Sequence, residues 1–180
     1  MKATGIVRRI DDLGRVVIPK EIRRTMRIRE GDPLEIFTDK EGELIFKKYS
    51  PIGELGDFAA QICDSLRKST DSIAAVCDRD EVIAIAGGAK RELLDKAVSP
   101  QLGAIMESRS LYRHSSGGSS IPVSADDDKY CVSVAAPVIS EGDVMGCVLF
   151  VSERNAPPNG EVEYKLAQTV AVFLGKQMES

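Results

Sequence analysis

The chain has 180 residues, of which 43% are hydrophobic and 29% are charged, the composition of a globular protein. This length suits one ordinary domain or two small ones. No apolar run approaches the roughly 18–20 residues that span a bilayer, and no signal peptide is visible at the start. We therefore expect a cytoplasmic protein without a membrane partner.

The charge is unevenly distributed along the chain. Residues 1–50 contain 12 basic and 9 acidic side chains, a net charge of +3, whereas residues 51–180 contain 12 basic and 19 acidic ones, a net charge of −7. The first 29 residues are the most basic part, with nine Lys or Arg against three Asp or Glu. This asymmetry indicates a small basic region that binds a polyanion, attached to a mildly acidic region.

The basic region alternates short strand-like segments with turns. Residues 4–10 and 15–18 are predicted strands around a turn at residues 11–14, and Pro19 begins a short helix, where its missing N–H costs nothing. A domain of about 50 residues has a marginal core and exposed sheet edges. We therefore expect an obligate two-fold dimer with interleaved hairpins. A second predicted hairpin is made by residues 34–38 and 44–49.

The acidic region is predicted to be a separate α+β domain of residues 53–180, since the strand pattern breaks at residues 50–53 and places the boundary after residue 52. An amphipathic helix is expected near each end, around a mostly antiparallel sheet. Residues 115–128 are polar and are predicted to form a long loop. The other predicted helices span residues 91–98 and 100–108, and the predicted strands span residues 73–77, 81–86, 111–114, 130–139 and 144–152.

Four arginines of the basic region are candidate DNA-contacting residues. Arg8 lies near the end of the first predicted strand, and Arg15 follows Gly14 at the turn. Arg23 and Arg24 lie on the short helix. The planar guanidinium group suits both a phosphate and the O6/N7 edge of guanine. Charge alone leaves a second interpretation open, in which these arginines form a solvated basic face without a partner.

Residues 4–24, and within them the string Leu-Gly-Arg-Val-Val-Ile-Pro at 13–19, strongly resemble the AbrB family of bacterial transition-state regulators. Residues 31–36 and 47–49 also look like that family. The resemblance implies a swapped-hairpin β-barrel, all-β with a short helix, that forms an intertwined dimer and binds double-stranded DNA. It matches Arg8, Arg15, Arg23 and Arg24 to the DNA-contacting arginines of the family, and Arg9 and Lys2 are further basic candidates.

The resemblance also implies the manner of binding. Members of the family favour A/T-rich, bendable DNA, which suits a protein that relies on phosphate contacts and DNA deformability as much as on base edges. It therefore predicts a regulator of transcription that acts as both activator and repressor.

Residues 53–180 resemble a GAF domain in the order of their predicted elements. An AbrB-like region followed by a GAF-like one resembles a family of sporulation-stage regulators of endospore-forming bacteria, which implies a homotetramer joined through the helices that flank the GAF-like domain. Alternatively, the apolar stripes of these helices cover only their own sheet. The residues proposed for the interface are Leu55, Phe58, Ile62, Leu66, Val162, Leu166, Val170, Phe173 and Leu174.

Two other functions are compatible with these resemblances. Some GAF-like domains reduce methionine sulfoxide with cysteines, but the apolar neighbours of the cysteines in this chain favour buried, reduced thiols. The basic region is also similar to the DNA-binding part of antitoxins, although antitoxins usually end in a disordered tail that wraps a toxin. The cysteines of the chain are Cys63, Cys77, Cys131 and Cys147.

Ligands of the acidic region are less clearly indicated. GAF domains often bind a small molecule under the variable loop, here approximately residues 114–128, so the resemblance of the fold implies a site for an unidentified small-molecule ligand. The three consecutive aspartates at residues 126–128 are interpreted as a solvated loop rather than a metal site. We assign no catalytic residue and expect no metal or known cofactor.

Overall fold

The structure, a computed structural model, describes residues 4–179. The chain divides into two compact units between Tyr49 and Ser50, which we call the head and the body. The body begins earlier than residue 53, the first residue of the predicted domain, because residues 51–54 form a helix and Ser50 caps it. Ser50 caps helix α2 (Pro51–Glu54) by accepting a hydrogen bond from the Gly53 amide at 3.1 Å, and Ile52 is fully buried.

The head contains a short helix and a two-stranded antiparallel hairpin. Helix α1 (Lys20–Thr25) follows Pro19, and the hairpin pairs β1 (Leu34–Thr38) with β2 (Leu44–Lys48). Both elements confirm the sequence-based prediction. Lys48 joins them, because its Nζ donates to the Arg27 carbonyl at 3.0 Å just beyond α1.

The two strands predicted at residues 4–10 and 15–18 are absent from the single chain, so that prediction is wrong for one protomer. The turn between them is present: the Gly14 amide donates to the Asp11 carbonyl at 3.1 Å, and the Asp11 amide donates to the Arg15 carbonyl at 3.0 Å. The segments on either side of the turn, residues 4–10 and 15–18, are called the arms, and they form no ladder of backbone hydrogen bonds with each other. A strand exists only where a neighbouring strand takes up its hydrogen bonds, and within these residues the chain provides none.

The body is built on a five-stranded antiparallel sheet in the order β4-β3-β7-β6-β5. The long hairpin of β6 and β7 turns at Glu141 and Gly142, both with positive φ. The strands confirm the predicted ones to within a few residues. They are β3 (Ile73–Asp78), β4 (Val82–Ala86), β5 (Tyr112–Arg113), β6 (Tyr130–Ser140) and β7 (Asp143–Glu153).

Helices cover both faces of this sheet. The long helices α3 (Gly56–Thr70) and α6 (Glu161–Gln177) pack on one face, with Phe150 and Val134 in the core beneath them. The shorter helices α4 (Lys90–Leu93) and α5 (Pro100–Ser108) pack on the other face. In the described part of the chain, no helix is long and apolar enough to cross a membrane.

Two predictions for the body need correction. The helix predicted at residues 91–98 ends at Leu93, because Asp95 has a positive φ and Val98 bridges to Ser124. The loop predicted at residues 115–128 is partly ordered against the sheet: Val123 is fully buried, and its amide donates to the Tyr130 carbonyl at 3.1 Å. Contacts with residues outside the predicted segment contribute to both corrections, Ser124 for Val98 and Tyr130 for Val123, and local patterns do not report them.

Candidate nucleic-acid interface

The turn at residues 11–15 presents an arginine at its tip. Oδ1 of Asp11 accepts hydrogen bonds from the Leu13 amide at 3.0 Å and from the Arg15 amide at 2.8 Å. Oδ2 of Asp11 accepts from Nε of Arg15 at 2.8 Å. Gly14 has a φ of +76°, which an L side chain rarely adopts. The turn therefore holds Nε of the Arg15 guanidinium in place, while 69% of the Arg15 side chain stays exposed.

The same contacts shift the titration of the carboxyl group. The hydrogen bonds from the backbone and side chain of Arg15 hold the pKa of Asp11 below its ordinary value. Sequence reasoning treated Asp11 only as a turn-forming residue and missed this ion pair. The spacing of opposite charges, four residues apart, is the signal that could have indicated it.

Helix α1 carries two further arginines on its surface. Arg23 and Arg24 lie in its last turn, where a cation is favoured by the partial negative charge of the helix end, and both are exposed. The Ile28 amide donates to the Arg23 carbonyl at 2.8 Å and holds the chain as it leaves the helix. Pro19, at the start of the helix, is buried. The helix is therefore anchored at its entry and exit, with the guanidinium groups free to meet a polyanion.

The remaining predicted residues are less constrained. Arg8 and Arg9 are exposed, and Nη1 of Arg8 makes only a long hydrogen bond, 3.4 Å, to the neighbouring Val7 carbonyl. Lys2 lies outside the described residues. The structure thus places all five predicted arginines on the surface of one small unit.

The head also exposes many apolar side chains. Among its described residues only Pro19 is buried. Val7 is 84% exposed and Val17 is 70% exposed. A single head therefore has no core that would stabilise it alone. The other exposed large apolar residues are Ile6, Ile10, Leu13, Val16, Met26, Ile36, Phe37, Leu44, Ile45, Phe46 and Tyr49.

The residues proposed for a tetramer interface divide into three groups. Leu66 and Leu174 are buried in the core of the body itself, so they cannot contact a neighbouring chain. Val162 is 61% exposed and Phe173 is 46% exposed. The Phe173 ring lies 6.1 Å from the Phe58 ring, centroid to centroid. Leu55 is half-buried. The other half-buried residues pack on the core of the body and keep an exposed edge; they are Phe58, Ile62, Leu166 and Val170.

The cysteines are all buried and unpaired. Burial raises the pKa of the Cys63 thiol to about 12, and it also raises the pKa of Cys147, whose strand position is opposite Cys77. A thiol is nucleophilic only as a thiolate, so these environments suppress reactivity. Among the described residues no group of three or more potential ligands could hold a metal ion; Asp128, in the acidic loop, instead pairs with Arg154 at 3.0 Å.

Two family models match the chain. A model described as "Stage V sporulation protein T C-terminal, transcription factor" matches residues 54–179. A model described as "Antidote-toxin recognition MazE, bacterial antitoxin" matches residues 7–54. Together they cover both units, and the first alone covers more than half of the chain.

Known proteins resemble the chain over its full length or over one unit. "Stage V sporulation protein T" of Bacillus subtilis (strain 168) is 51% identical over 179 residues, 99% of each chain. "Transition state regulatory protein AbrB" of the same organism is 63% identical over 51 residues, 28% of this chain and 52% of that protein. The solved GAF-B domain of DevS from Mycobacterium smegmatis is 13% identical, with a TM-score of 0.53, over 68% of this chain and 91% of that one. The last match is one of fold alone, and it confirms the GAF-like body.

Proposed function

The chain belongs to the stage V sporulation protein T family, and on that premise we propose that it regulates sporulation-stage transcription by binding double-stranded DNA through its head. The observation that carries this proposal is the exposure of Arg8, Arg15, Arg23 and Arg24 on one small unit. Membership of a family of transcription factors also means that the protein is not an enzyme.

The exposed apolar surface of the head supports a dimer. Two copies that exchange their arms would give residues 4–10 and 15–18 the strand neighbours that a single chain lacks, and would bury side chains such as Val7 and Val17. The dimer would present each arginine twice, on matching surfaces that suit the two strands of a duplex. The fold of the head therefore depends on the same association that doubles its basic surface.

The body supports a further association between dimers. The exposed stripe of Val162 and Phe173 on α6, with Phe58 of α3 beside it, is the apolar surface that two bodies would share in a homotetramer. A small molecule under the segment at residues 114–128 would have to displace side chains already there, such as Val123 and Met106, which are buried against the sheet. Oligomerisation is therefore the better supported role of the body.

The manner of binding is the one that the resemblance to the AbrB family implies, a preference for A/T-rich, bendable DNA with loose consensus. Exposed arginines suit it, because they contact phosphates without regard to sequence. With roughly 6–10 phosphates neutralised per dimer, the logarithm of affinity should fall with the logarithm of salt at a slope of about −5 to −9. Such a protein acts in the cytoplasm, as activator or repressor according to where it binds.

The test is the loss of a single arginine from the head. Arg15→Ala and Arg23→Ala should each weaken binding to an A/T-rich duplex at least tenfold, roughly 1.4 kcal/mol, in fluorescence anisotropy at fixed salt. Arg67→Ala, which removes an exposed arginine from α3 of the body, is the matched control and should bind normally. Circular dichroism and solution mass should be unchanged in all three variants. Wild-type affinity of both head variants would refute the assigned role of the arginines.

A further inference from the structure

Asp11 holds Arg15 by only one part of its guanidinium group. The carboxylate accepts from Nε at 2.8 Å, whereas Nη1 and Nη2 have no partner among the described residues. These two nitrogens form the end-on edge of the guanidinium, whose parallel N–H groups match a phosphate or the O6/N7 edge of guanine. The ion pair therefore leaves the recognising edge free and restricts the direction in which it points.

The same carboxylate has an electrostatic cost for DNA binding. Asp11 is exposed and lies at the tip of a turn that carries a DNA-contacting arginine, so its negative charge opposes the phosphates of any duplex, whatever the sequence. A residue that mattered only for general affinity would not be an acid at this place. Orientation of Arg15, by contrast, matters only where a particular base edge is met.

We propose that Asp11 is a specificity-determining residue of the DNA interface: it positions the guanidinium of Arg15 for a directed contact and weakens indiscriminate attraction to phosphate. This inference rests on the proposed function, because it takes Arg15 to contact DNA. Asp11 acts through Arg15 and is a positioning residue rather than a DNA contact.

The two oxygens of Asp11 allow its roles to be separated. Oδ1 accepts the two backbone amides that shape the turn, and Oδ2 pairs with Nε of Arg15. Asp11→Asn keeps an oxygen for the amides but replaces the other oxygen with a donor, which cannot accept from Nε–H. The substitution therefore preserves the turn and releases the arginine.

Asp12 provides a matched control. It is the next residue of the same turn, is exposed, and makes no hydrogen bond or ion pair within the described chain. Asp12→Asn removes the same charge from the same turn without touching the Arg15 pair. A difference between the two variants must therefore come from the position of the guanidinium and not from net charge.

The experiment measures discrimination by the full chain. A duplex is selected by the wild-type protein from a random pool, and its dissociation constant is compared with that of a scrambled duplex of the same composition. In Asp11→Asn the ratio of the two constants should fall about tenfold, the scale of one directed arginine contact, while the scrambled duplex binds as tightly as before or more tightly. Asp12→Asn should keep the wild-type ratio.

Several outcomes would overturn the inference. An unchanged ratio in Asp11→Asn would do so, as would equal losses in Asp11→Asn and Asp12→Asn, or a pool from which the wild type selects nothing. Failure of the proposed function is distinguishable, because then neither the wild type nor Arg15→Ala would show salt-dependent binding to either duplex. As a check on the ion pair itself, carboxyl NMR should give a pKa for Asp11 below its ordinary value, and Arg15→Ala should raise it.

Discussion

Gly175, in the last part of α6, occupies a place where no side chain fits. A Cβ at this position would collide with the carbonyl oxygen of Ile139 on β6, and Gly175 itself is buried. Gly146 has the same relation to the carbonyl of Cys77, between β7 and β3. Both glycines allow backbones to approach more closely than an alanine would, so the fit of α6 on the sheet depends on a missing methyl group.

We predict that Gly175→Ala destabilises the protein by about 1–3 kcal/mol, the cost of overpacking a well-filled core. Alanine favours a helix by about 1 kcal/mol over glycine, so the collision must exceed that gain. Gly103→Ala is the control, because Gly103 lies in helix α5 with nothing within 4 Å of a Cβ; it should leave stability equal or raise it. Urea unfolding followed by circular dichroism, at one protein concentration, measures both. Stabilisation by Gly175→Ala would show that α6 can move away from β6.

The sequence identified the arginines as candidate DNA contacts, but it predicted only part of their surroundings, namely their exposure and not their hydrogen-bond partners. The exposure of Arg15 follows from its place after Gly14 in a polar turn. Its pairing with Asp11 depends on how the turn folds back, and five residues of sequence allow several turn geometries. Leu66 and Leu174 show the converse limit: an apolar stripe identifies a helix face, but it does not say whether the sheet or a neighbouring chain covers each residue.

At the scale of the element, the start of α5 links a helix to the ordered part of the long loop. Ser99 accepts from the Leu102 amide at 3.0 Å as the helix cap, and its hydroxyl donates to the Pro122 carbonyl at 2.6 Å. Ser99 is 1% exposed. One residue therefore satisfies two backbone groups, one in the helix and one in the segment beside Val123, where water has little access.

Ser99→Ala should lower the free energy of unfolding by about 1–3 kcal/mol, because it removes a cap and leaves two backbone groups without a partner. Hydrogen exchange of the Val123 amide should become faster, since the segment loses its tie to α5. Ser65→Ala is the comparison: its exposed hydroxyl bonds only the Gln61 carbonyl within α3, and its loss should change stability by less than about 0.5 kcal/mol. Equal effects of the two substitutions would show that the two hydrogen bonds of Ser99 contribute no more to stability than the exposed hydroxyl of Ser65 does.

Elements held by local contacts were the ones that the sequence predicted well. Helix α5 begins with Ser99-Pro100 and ends at Ser108, as its cap and periodicity indicate. The arms at residues 4–10 and 15–18 have an equally strong strand pattern but no neighbouring strand within the chain. The pattern therefore indicates residues that favour a strand, but no strand forms there in a single chain. The proposed pairing of these strands needs a second copy of the chain, and the local pattern of one sequence does not show where the neighbouring strand comes from.

At the scale of the whole molecule, the two units differ in how many of their apolar residues a single chain buries. The body buries most of its apolar residues on both faces of one sheet, and its exposed large apolar residues among those described are Val162, Val172 and Phe173 on α6 and Ile139 on β6. The head leaves most of its apolar residues exposed. Association should therefore be needed for the head to fold, whereas in the body it would add a contact to a domain that already has a core.

This difference makes the proposed tetramer separable from the dimer. We predict that Phe173→Glu, which places a charge in the exposed stripe of α6, reduces the mass in solution from four chains to two at micromolar concentration, because a desolvated carboxylate opposes the contact. The body should stay folded, since Phe173 is 46% exposed. Light scattering measures the mass, and circular dichroism checks the fold.

The control for that substitution is Gln168→Glu, which adds the same charge to an exposed polar position of α6. It should remain tetrameric. Because the substitution leaves the proposed dimer of heads untouched, Phe173→Glu should bind a short duplex like the wild type. It should lose affinity, by roughly tenfold or more, for a long fragment that both pairs of heads can occupy together, since linkage of the pairs raises the effective concentration of the second pair. A tetramer that survives Phe173→Glu would remove α6 from the interface, and a monomer would show that the heads alone do not hold the dimer.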